Sequence, residues 1–338
     1  EPVEKSAIII LGASGDLARR KLIPALSVLR EQDLISGDSV IIGEGRSEFT
    51  DAEFRDRFDI CCDFRNQLFY HQGIKGLKDF TASMGSFGRI IVFLSLPPSS
   101  YEGTIEKLYN EGFRDEINIV IEKPFGRDYE SAHKLNESIH NFFSEDQIFR
   151  SDHYLAKEAV QNILIFRFAN SIFEASWNSN YIESIQINAF EEIGVEERGR
   201  YFDQSGSIRD MVQNHLLQML CLTTMDPPVS LDPEDIRIQK INILKAIEIE
   251  EVSRGRYDGY LEEKDIAPDS NTETWAELKL KINNHRWAGT PVYIRTGKAL
   301  NRKGTEIGLR FKKRAHTLYN PPEGTAPNEI IFKVQPSE

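Results

Sequence analysis

The chain has little with which to cross-link itself, no long hydrophobic run and no excess of positive charge. Its 338 residues contain three cysteines, Cys61, Cys62 and Cys221. These form neither a disulfide framework nor the paired spacing of a zinc site, so a disulfide scaffold is excluded and a reducing compartment is expected. No apolar run reaches the roughly 18 residues of a membrane-spanning helix, and the first residues lack the basic and apolar regions of a secretory leader. A cytoplasmic protein without a membrane partner is the expectation. A net charge of −12 argues against a nucleic-acid partner, because a phosphate backbone selects a basic face. An anionic small ligand therefore needs a local cluster of cations. Internal repeats and low-complexity tracts are missing as well.

What is present is enough chain for two domains, each able to bury its own core. Ser6 to Leu11 is an apolar run stopped by Gly12, followed by a helix-like stretch from Ala18 to Glu31 and a second apolar run at Ser39 to Gly43. This is a β-α-β pattern. Ile90 to Leu94 and Ile117 to Glu122 are further buried-strand candidates with a helical stretch, Tyr101 to Asn110, between them. Such alternation predicts a doubly wound parallel sheet, a Rossmann-like dinucleotide-binding domain over residues 1–150. Beyond it the texture changes. Long helical stretches at Asp152 to Ala169 and Ser207 to Met225 precede strand-like segments at Tyr181 to Phe190, Thr274 to Ile282, Thr290 to Arg295, Glu306 to Lys312 and Asn328 to Val334. The prediction for residues 151–338 is an α+β substrate and dimerisation domain with a large, mainly antiparallel sheet.

Gly12-Ala13-Ser14-Gly15-Asp16-Leu17 sits between the first strand and the following helix, where backbone N–H groups and the helix's positive end meet a pyrophosphate. After the second strand comes Gly43-Glu44-Gly45-Arg46-Ser47. An arginine there accommodates the 2′-phosphate of NADP, and an acidic residue binds the ribose 2′-hydroxyl of NAD. The chain offers both, so NADP is expected with some NAD use left open. In Asp152-His153-Tyr154-Leu155-Ala156-Lys157, a helical reading puts His153 and Lys157 on one face near a helix start, with Asp152 as its N-cap. His215 falls on an apolar helical stripe with Ile208, Met211, Val212 and Met219. It reads either as a core histidine or as a proton acceptor titrating near neutrality. Lys123 lies at a parallel-strand end, before Pro124, where open α/β sheets bind ligands.

These segments, with Glu122-Lys123-Pro124-Phe125-Gly126-Arg127-Asp128 and Arg209-Asp210-Met211-Val212-Gln213-Asn214-His215, resemble the glucose-6-phosphate dehydrogenase family, in one order along nearly the whole chain. The resemblance implies NADP-dependent oxidation of glucose 6-phosphate to 6-phospho-glucono-1,5-lactone, the opening step of the oxidative pentose phosphate pathway, by a homodimer or homotetramer with no metal. It assigns His215 as the base, Asp152 as its carboxylate partner on a second helix, and Lys123 as a contact for both ligands. It gives Gly12, Ser14, Gly15, Asp16, Leu17 and Arg46 to the cofactor. Lys21, His153, Tyr154, Lys157, Glu192, Asp210, Lys298 and Lys303 go to the sugar phosphate, with Glu191 as the alternative to Glu192. Members of the family are longer, so the second domain is expected to be C-terminally incomplete here.

Two rival readings have different marks. A sugar dehydrogenase of the glucose–fructose oxidoreductase group also carries a Glu-Lys-Pro turn but has no need of Asp152 to Lys157, and it would favour an unphosphorylated sugar. A catalytically silent regulatory homologue would show no turnover.

Overall fold

The computed structural model describes residues 4–313 and 327–336. These divide into two compact units between Ser151 and Asp152. In the first, β1 (Ser6–Leu11), β2 (Val40–Gly45), β3 (Leu68–Gln72), β4 (Arg89–Leu94), β5 (Ile117–Ile121) and β6 (Ile148–Arg150) form one sheet in the order β3-β2-β1-β4-β5-β6. Every neighbouring pair is parallel. Both faces are covered, which is why β1 and β2 read as continuous apolar runs rather than alternating ones. Ile9, Leu11, Val92 and Ile119 pack on one side with Tyr101, Ile105 and Leu108 of the helix Tyr101–Asn110. Ile10, Ile41, Phe54 and Leu68 pack on the other. The strand order reverses between β1 and β4, which defines the ligand crevice of such sheets.

The second unit carries β7 (Ile182–Phe190), β8 (Ile247–Gly255), β9 (Trp275–Ile282), β10 (Val292–Gly297), β11 (Gly304–Phe311) and β12 (Glu329–Gln335), ordered β12-β11-β7-β10-β9-β8. Only the β7–β10 pair is parallel; the other four pairings are antiparallel. The expected α/β unit followed by an α+β unit with a mainly antiparallel sheet is therefore what the chain forms. Its core joins Ile185, Ile187, Leu280, Ile294 and Leu309 of the sheet to Val160, Ile163, Leu216 and Leu220 from helices. Three buried polar groups fix the end of the helix Leu217–Thr224. The Trp177 and Trp287 indoles donate to the carbonyls of Thr223 and Thr224, each at 2.7 Å. Arg167 donates to Leu222 O at 2.9 Å and Met225 O at 2.8 Å. The last carbonyls of a helix lack intrahelical donors, and these side chains supply them.

Several expectations need correction. Asp152 to Ala169 is not one helix: the helix runs Glu158–Phe168 and residues 153–156 are turns. Tyr154 N donates to Asp152 Oδ1 at 2.9 Å, so the aspartate closes a short side-chain turn instead of capping a helix. Ser207 to Met225 is likewise composite. A wide π-helical segment, Ile208–Leu216, leads into Leu217–Thr224, after a bend at Gly206 whose φ is +67°. The strands β3, β6 and β8 and the helices Tyr129–His140 and Pro233–Ala246 were not anticipated.

Candidate active site

In the first unit the glycine turn is fixed by its neighbours. Gly12 N and Ala13 N donate to Glu44 O at 3.0 and 2.8 Å, and Gly15 N donates back to Gly12 O at 2.9 Å. Gly12 has φ +83°, and a Cβ there would strike the Ser95 carbonyl oxygen. Only glycine satisfies both demands. The helix begins at Asp16 directly after this turn, so its first N–H groups, which lack intrahelical acceptors, face outward. Exposed Gly15, Asp16 and Leu17 with half-buried Ser14 make a backbone surface suited to the pyrophosphate of a dinucleotide.

The loop after β2 is held by its backbone. Tyr70 Oη donates to Ser47 O at 2.6 Å and Gln72 Nε2 donates to Arg46 O at 3.2 Å. Arg46 itself is exposed, and among the described residues its guanidinium has no ion-pair partner. Glu44 points the other way. It is 6% exposed, its Oε2 lies 3.4 Å from Gly12 N, and burial pushes its carboxyl above the ordinary value. Lys123 follows the end of β5, before a cis bond to Pro124, and is half-buried. Lys21 is exposed on the first helix.

The second unit brings a histidine and a carboxylate together. His215 Nδ1 lies 2.6 Å from Asp152 Oδ1, a distance typical of a charge-assisted bond. With the proton on Nδ1, the lone pair sits on Nε2, which is buried and without a hydrogen-bond partner among the described residues. The Tyr154 ring stacks on the imidazole, centroids 4.4 Å apart at 21°, and the His153 ring meets it edge-on at 4.6 Å. Burial pushes the Asp152 carboxyl up, but its hydrogen bond and charge interaction with His215, together with the Tyr154 N–H, outweigh this and hold it below the ordinary value. Asp152 comes from a turn and His215 from the π-helical segment, so the expected pairing of two helices is replaced by a turn and a helix.

Lys157 N-caps the helix Glu158–Phe168 rather than sharing a helical face with His153. Its Nζ lies 4.8 Å over the Tyr154 ring and donates to Gln335 Oε1 at 2.9 Å. Gln335, at the end of β12, was not foreseen, since nothing local in the sequence marks it. Lys157, Lys303, Val334 and Gln335 line a cleft of about 650 Å³. A small cavity lined by Tyr154, Glu191, Met211, Lys303, Thr305 and Gln335 shares two of these residues. Glu191, not the exposed Glu192, reaches this place and forms an ion pair with buried Lys298. Asp210 is 3% exposed and accepts from Tyr201 Oη at 3.2 Å. Lys303 is exposed.

A Rossmann-like sheet with a glycine turn, followed by a unit bearing an oriented imidazole among lysines, defines a nicotinamide-dependent oxidoreductase. Residues 9–69 and 60–162 match the glucose-6-phosphate dehydrogenase NAD-binding domain, and residues 164–338 match the C-terminal domain. The chain belongs to the glucose-6-phosphate dehydrogenase family. It is 40% identical to glucose-6-phosphate 1-dehydrogenase of Bacillus subtilis, covering 99% of this chain and 77% of that one. It is 39% identical to the cytoplasmic glucose-6-phosphate 1-dehydrogenase 6 of Arabidopsis thaliana, covering 98% and 71%. A solved glucose-6-phosphate dehydrogenase in complex with glucose 6-phosphate superposes with a TM-score of 0.92 at 36% identity, over 99% of this chain and 76% of that one. A 3-ketoreductase from Actinomadura kijaniata, at 13% identity and a TM-score of 0.53 over 92% of this chain and 74% of its own, shares the fold alone.

Proposed function

We propose that the chain oxidises glucose 6-phosphate at C1 to 6-phospho-glucono-1,5-lactone with NADP as the hydride acceptor. The observation that carries this is the 2.6 Å Asp152–His215 contact with an unpartnered Nε2. The lone pair on Nε2 takes the C1 hydroxyl proton while the C1 hydrogen departs with its electron pair, and the C1–O bond becomes the lactone carbonyl. Asp152 fixes the tautomer and stabilises the imidazolium that results. The cofactor, when bound, supplies the nicotinamide carbon that accepts the hydride. Family membership and a relative solved with this sugar phosphate support the substrate.

Residues 1–150 are the dinucleotide-binding domain in this account. Gly12, Ser14, Gly15, Asp16 and Leu17 hold the pyrophosphate, and Arg46 grips the 2′-phosphate through a charge-assisted fork. Glu44, turned towards Gly12, is not the group that selects NAD. Residues 151–338 are the substrate domain. His153, Tyr154, Lys157 and Lys303 surround the phosphate, Asp210 and Glu191 take ring hydroxyls, and Lys298 neutralises Glu191. Lys21 and Lys123, on the dinucleotide-binding domain, are assigned to the ligands by the family resemblance, Lys123 to both. A homodimer or homotetramer acting in the cytoplasm follows from the family, two plant relatives being named cytoplasmic.

Steady-state assays with glucose 6-phosphate or free glucose, each with NADP and NAD, test the reading. It expects turnover with the phosphorylated sugar and a higher kcat/KM for NADP. Preference for free glucose would support the rival sugar dehydrogenase, and absence of turnover a silent homologue.

A further inference from the structure

The helical segment that carries His215 begins at a break. Gly206 has φ +67° and ψ 174°, a conformation open in practice only to glycine, and it separates the π-helical segment Ile208–Leu216 from the turns before it. The first N–H groups of a helix have no intrahelical acceptor. Here two successive ones are met by a single residue 65 positions after Ile208: Ser207 N donates to Glu273 O at 3.1 Å, and Ile208 N donates to Glu273 Oε1 at 3.0 Å. A Cβ at Gly206 would strike the Glu273 carboxylate, so glycine there admits both the bend and the cap. π-Helical turns are rare and frequent at functional sites; Asp210 and His215 both stand on this one, and both are buried. The next residue ties in a second element. Thr274 is fully buried; its carbonyl accepts from Lys298 N at 2.9 Å and its hydroxyl oxygen from Tyr257 N at 3.0 Å. The dipeptide Glu273-Thr274, just before β9, therefore anchors the helical start that leads to Asp210 and His215 and also the backbone of Lys298.

We infer that Glu273 is a positioning residue for the reaction: its carboxylate fixes where the π-helical segment starts, and through that start it aims His215 at Asp152. The aim matters because the His215–Asp152 hydrogen bond is short, 2.6 Å, and such bonds weaken steeply with misalignment. The segment runs on into the α-helix Leu217–Thr224. Without an acceptor for Ile208 N, its first turn is released to take up the tighter α-helical bonding of that continuation, and a change from π to α bonding shifts every side chain of the segment around the helix axis. Glu273 touches neither ligand in this account; it acts through the backbone. The kinetic consequence rests on the function proposed above; the placement of His215 does not.

Nitrogen NMR of the chain labelled at histidine, with kinetics of Glu273→Ala and Glu273→Gln, tests this. In the unaltered chain the His215 ring nitrogens, assigned by their loss in His215→Asn, should report the proton on Nδ1. In Glu273→Ala the ring should become a mixture of tautomers, and kcat should fall by about 10–10²-fold, the scale of a misplaced reacting group, with KM for NADP unchanged. Glu273→Gln keeps an acceptor oxygen and should restore the single tautomer and most of kcat. If Glu273→Ala does not fold by circular dichroism, Glu273→Asp, whose shorter side chain withdraws the acceptor from Ile208 N, carries the same expectation. An unchanged ring in the Ala or Asp variant overturns the inference whatever happens to kcat, and a mixed ring with full kcat overturns its bearing on the reaction. A Gln variant as impaired as Ala also overturns it, since the charge and not the hydrogen bond would then be the working part. A chain that shows these tautomer changes but turns over no glucose 6-phosphate contradicts the proposed function and leaves the placement of His215 by Glu273 standing.

Discussion

Arg46 and Lys21 in the first unit stand exposed with no ion-pair partner among the described residues, whereas Lys157 and Lys298 in the second are already engaged by Gln335 and Glu191. An anion arriving at the first unit adds to an open cation. One arriving at the second finds cations fixed in place by internal partners. Preset partners hold long side chains in position and reduce the entropy lost when the ligand binds. They also make each lysine costly to remove, because its partner is left behind. Under the proposed function, the first unit would thus read its ligand mostly through backbone geometry, and the second through a network of side chains.

The largest effect should come from the network's centre. His215→Asn is expected to lower kcat by about 10²–10⁴-fold, the range assigned to general-base catalysis, with little change in KM. Near-normal turnover would return His215 to the core-histidine reading. Next comes the lysine–glutamate pair. Lys298→Met should lower kcat/KM for glucose 6-phosphate by about tenfold, since Lys298 is buried but the Glu191 carboxylate is more than a third exposed and water screens what is left behind. Adding Glu191→Gln should restore part of that loss; no recovery would mean the unpaired carboxylate is not what hurts. Arg46→Ala should weaken NADP by about 1.5–3 kcal/mol in kcat/KM and leave NAD and the melting temperature unchanged. A loss shared by both cofactors would show that Arg46 supports the loop instead.

The smallest effect concerns Glu44. Its folded-state pKa is raised, chiefly by burial, against the lowering influence of Gly12 N, His71 and Lys107. A raised carboxyl contributes stability fully below its unfolded pKa and loses it as pH rises through the folded value. Glu44→Gln, which keeps an acceptor near Gly12 without the charge, should therefore raise Tm at about pH 8 and lose that advantage at about pH 4, near the ordinary glutamate value. An equal gain at both pH values would remove burial of charge as the cause.

Much of the fold was legible because it rests on short-range pattern. β1 and the helix Tyr101–Asn110 have the ends expected of them. A buried parallel strand is a continuous apolar run closed by glycine or proline, and a helix with one apolar face repeats every three to four residues. β6 escaped notice because it has three residues, and β8 because it is almost entirely exposed. The site was less legible than the fold. Asp152, His153 and Lys157 are spaced as on a helix, yet the Asp152 carboxylate binds the Tyr154 N–H and makes a turn. The same residue types favour both outcomes. The sequence likewise left Glu191 and Glu192 as alternatives, because only the alternation of β7 and the loop after it decide which one meets Lys298. Gln335 has no sequence signal at all. Its role comes from a contact with a lysine 178 residues away.

In the proposed chemistry Asp152 and His215 act as one device. The direct measurement is a double-mutant cycle on kcat, comparing Asp152→Asn, His215→Asn and the pair with the unaltered chain. Groups that act as a unit are strongly non-additive, so the double variant should lose no more than about threefold beyond His215→Asn alone, although Asp152→Asn by itself is severely impaired. Losses that multiply would mean the two residues serve the reaction separately, and the 2.6 Å contact between them would not be the source of the chemistry.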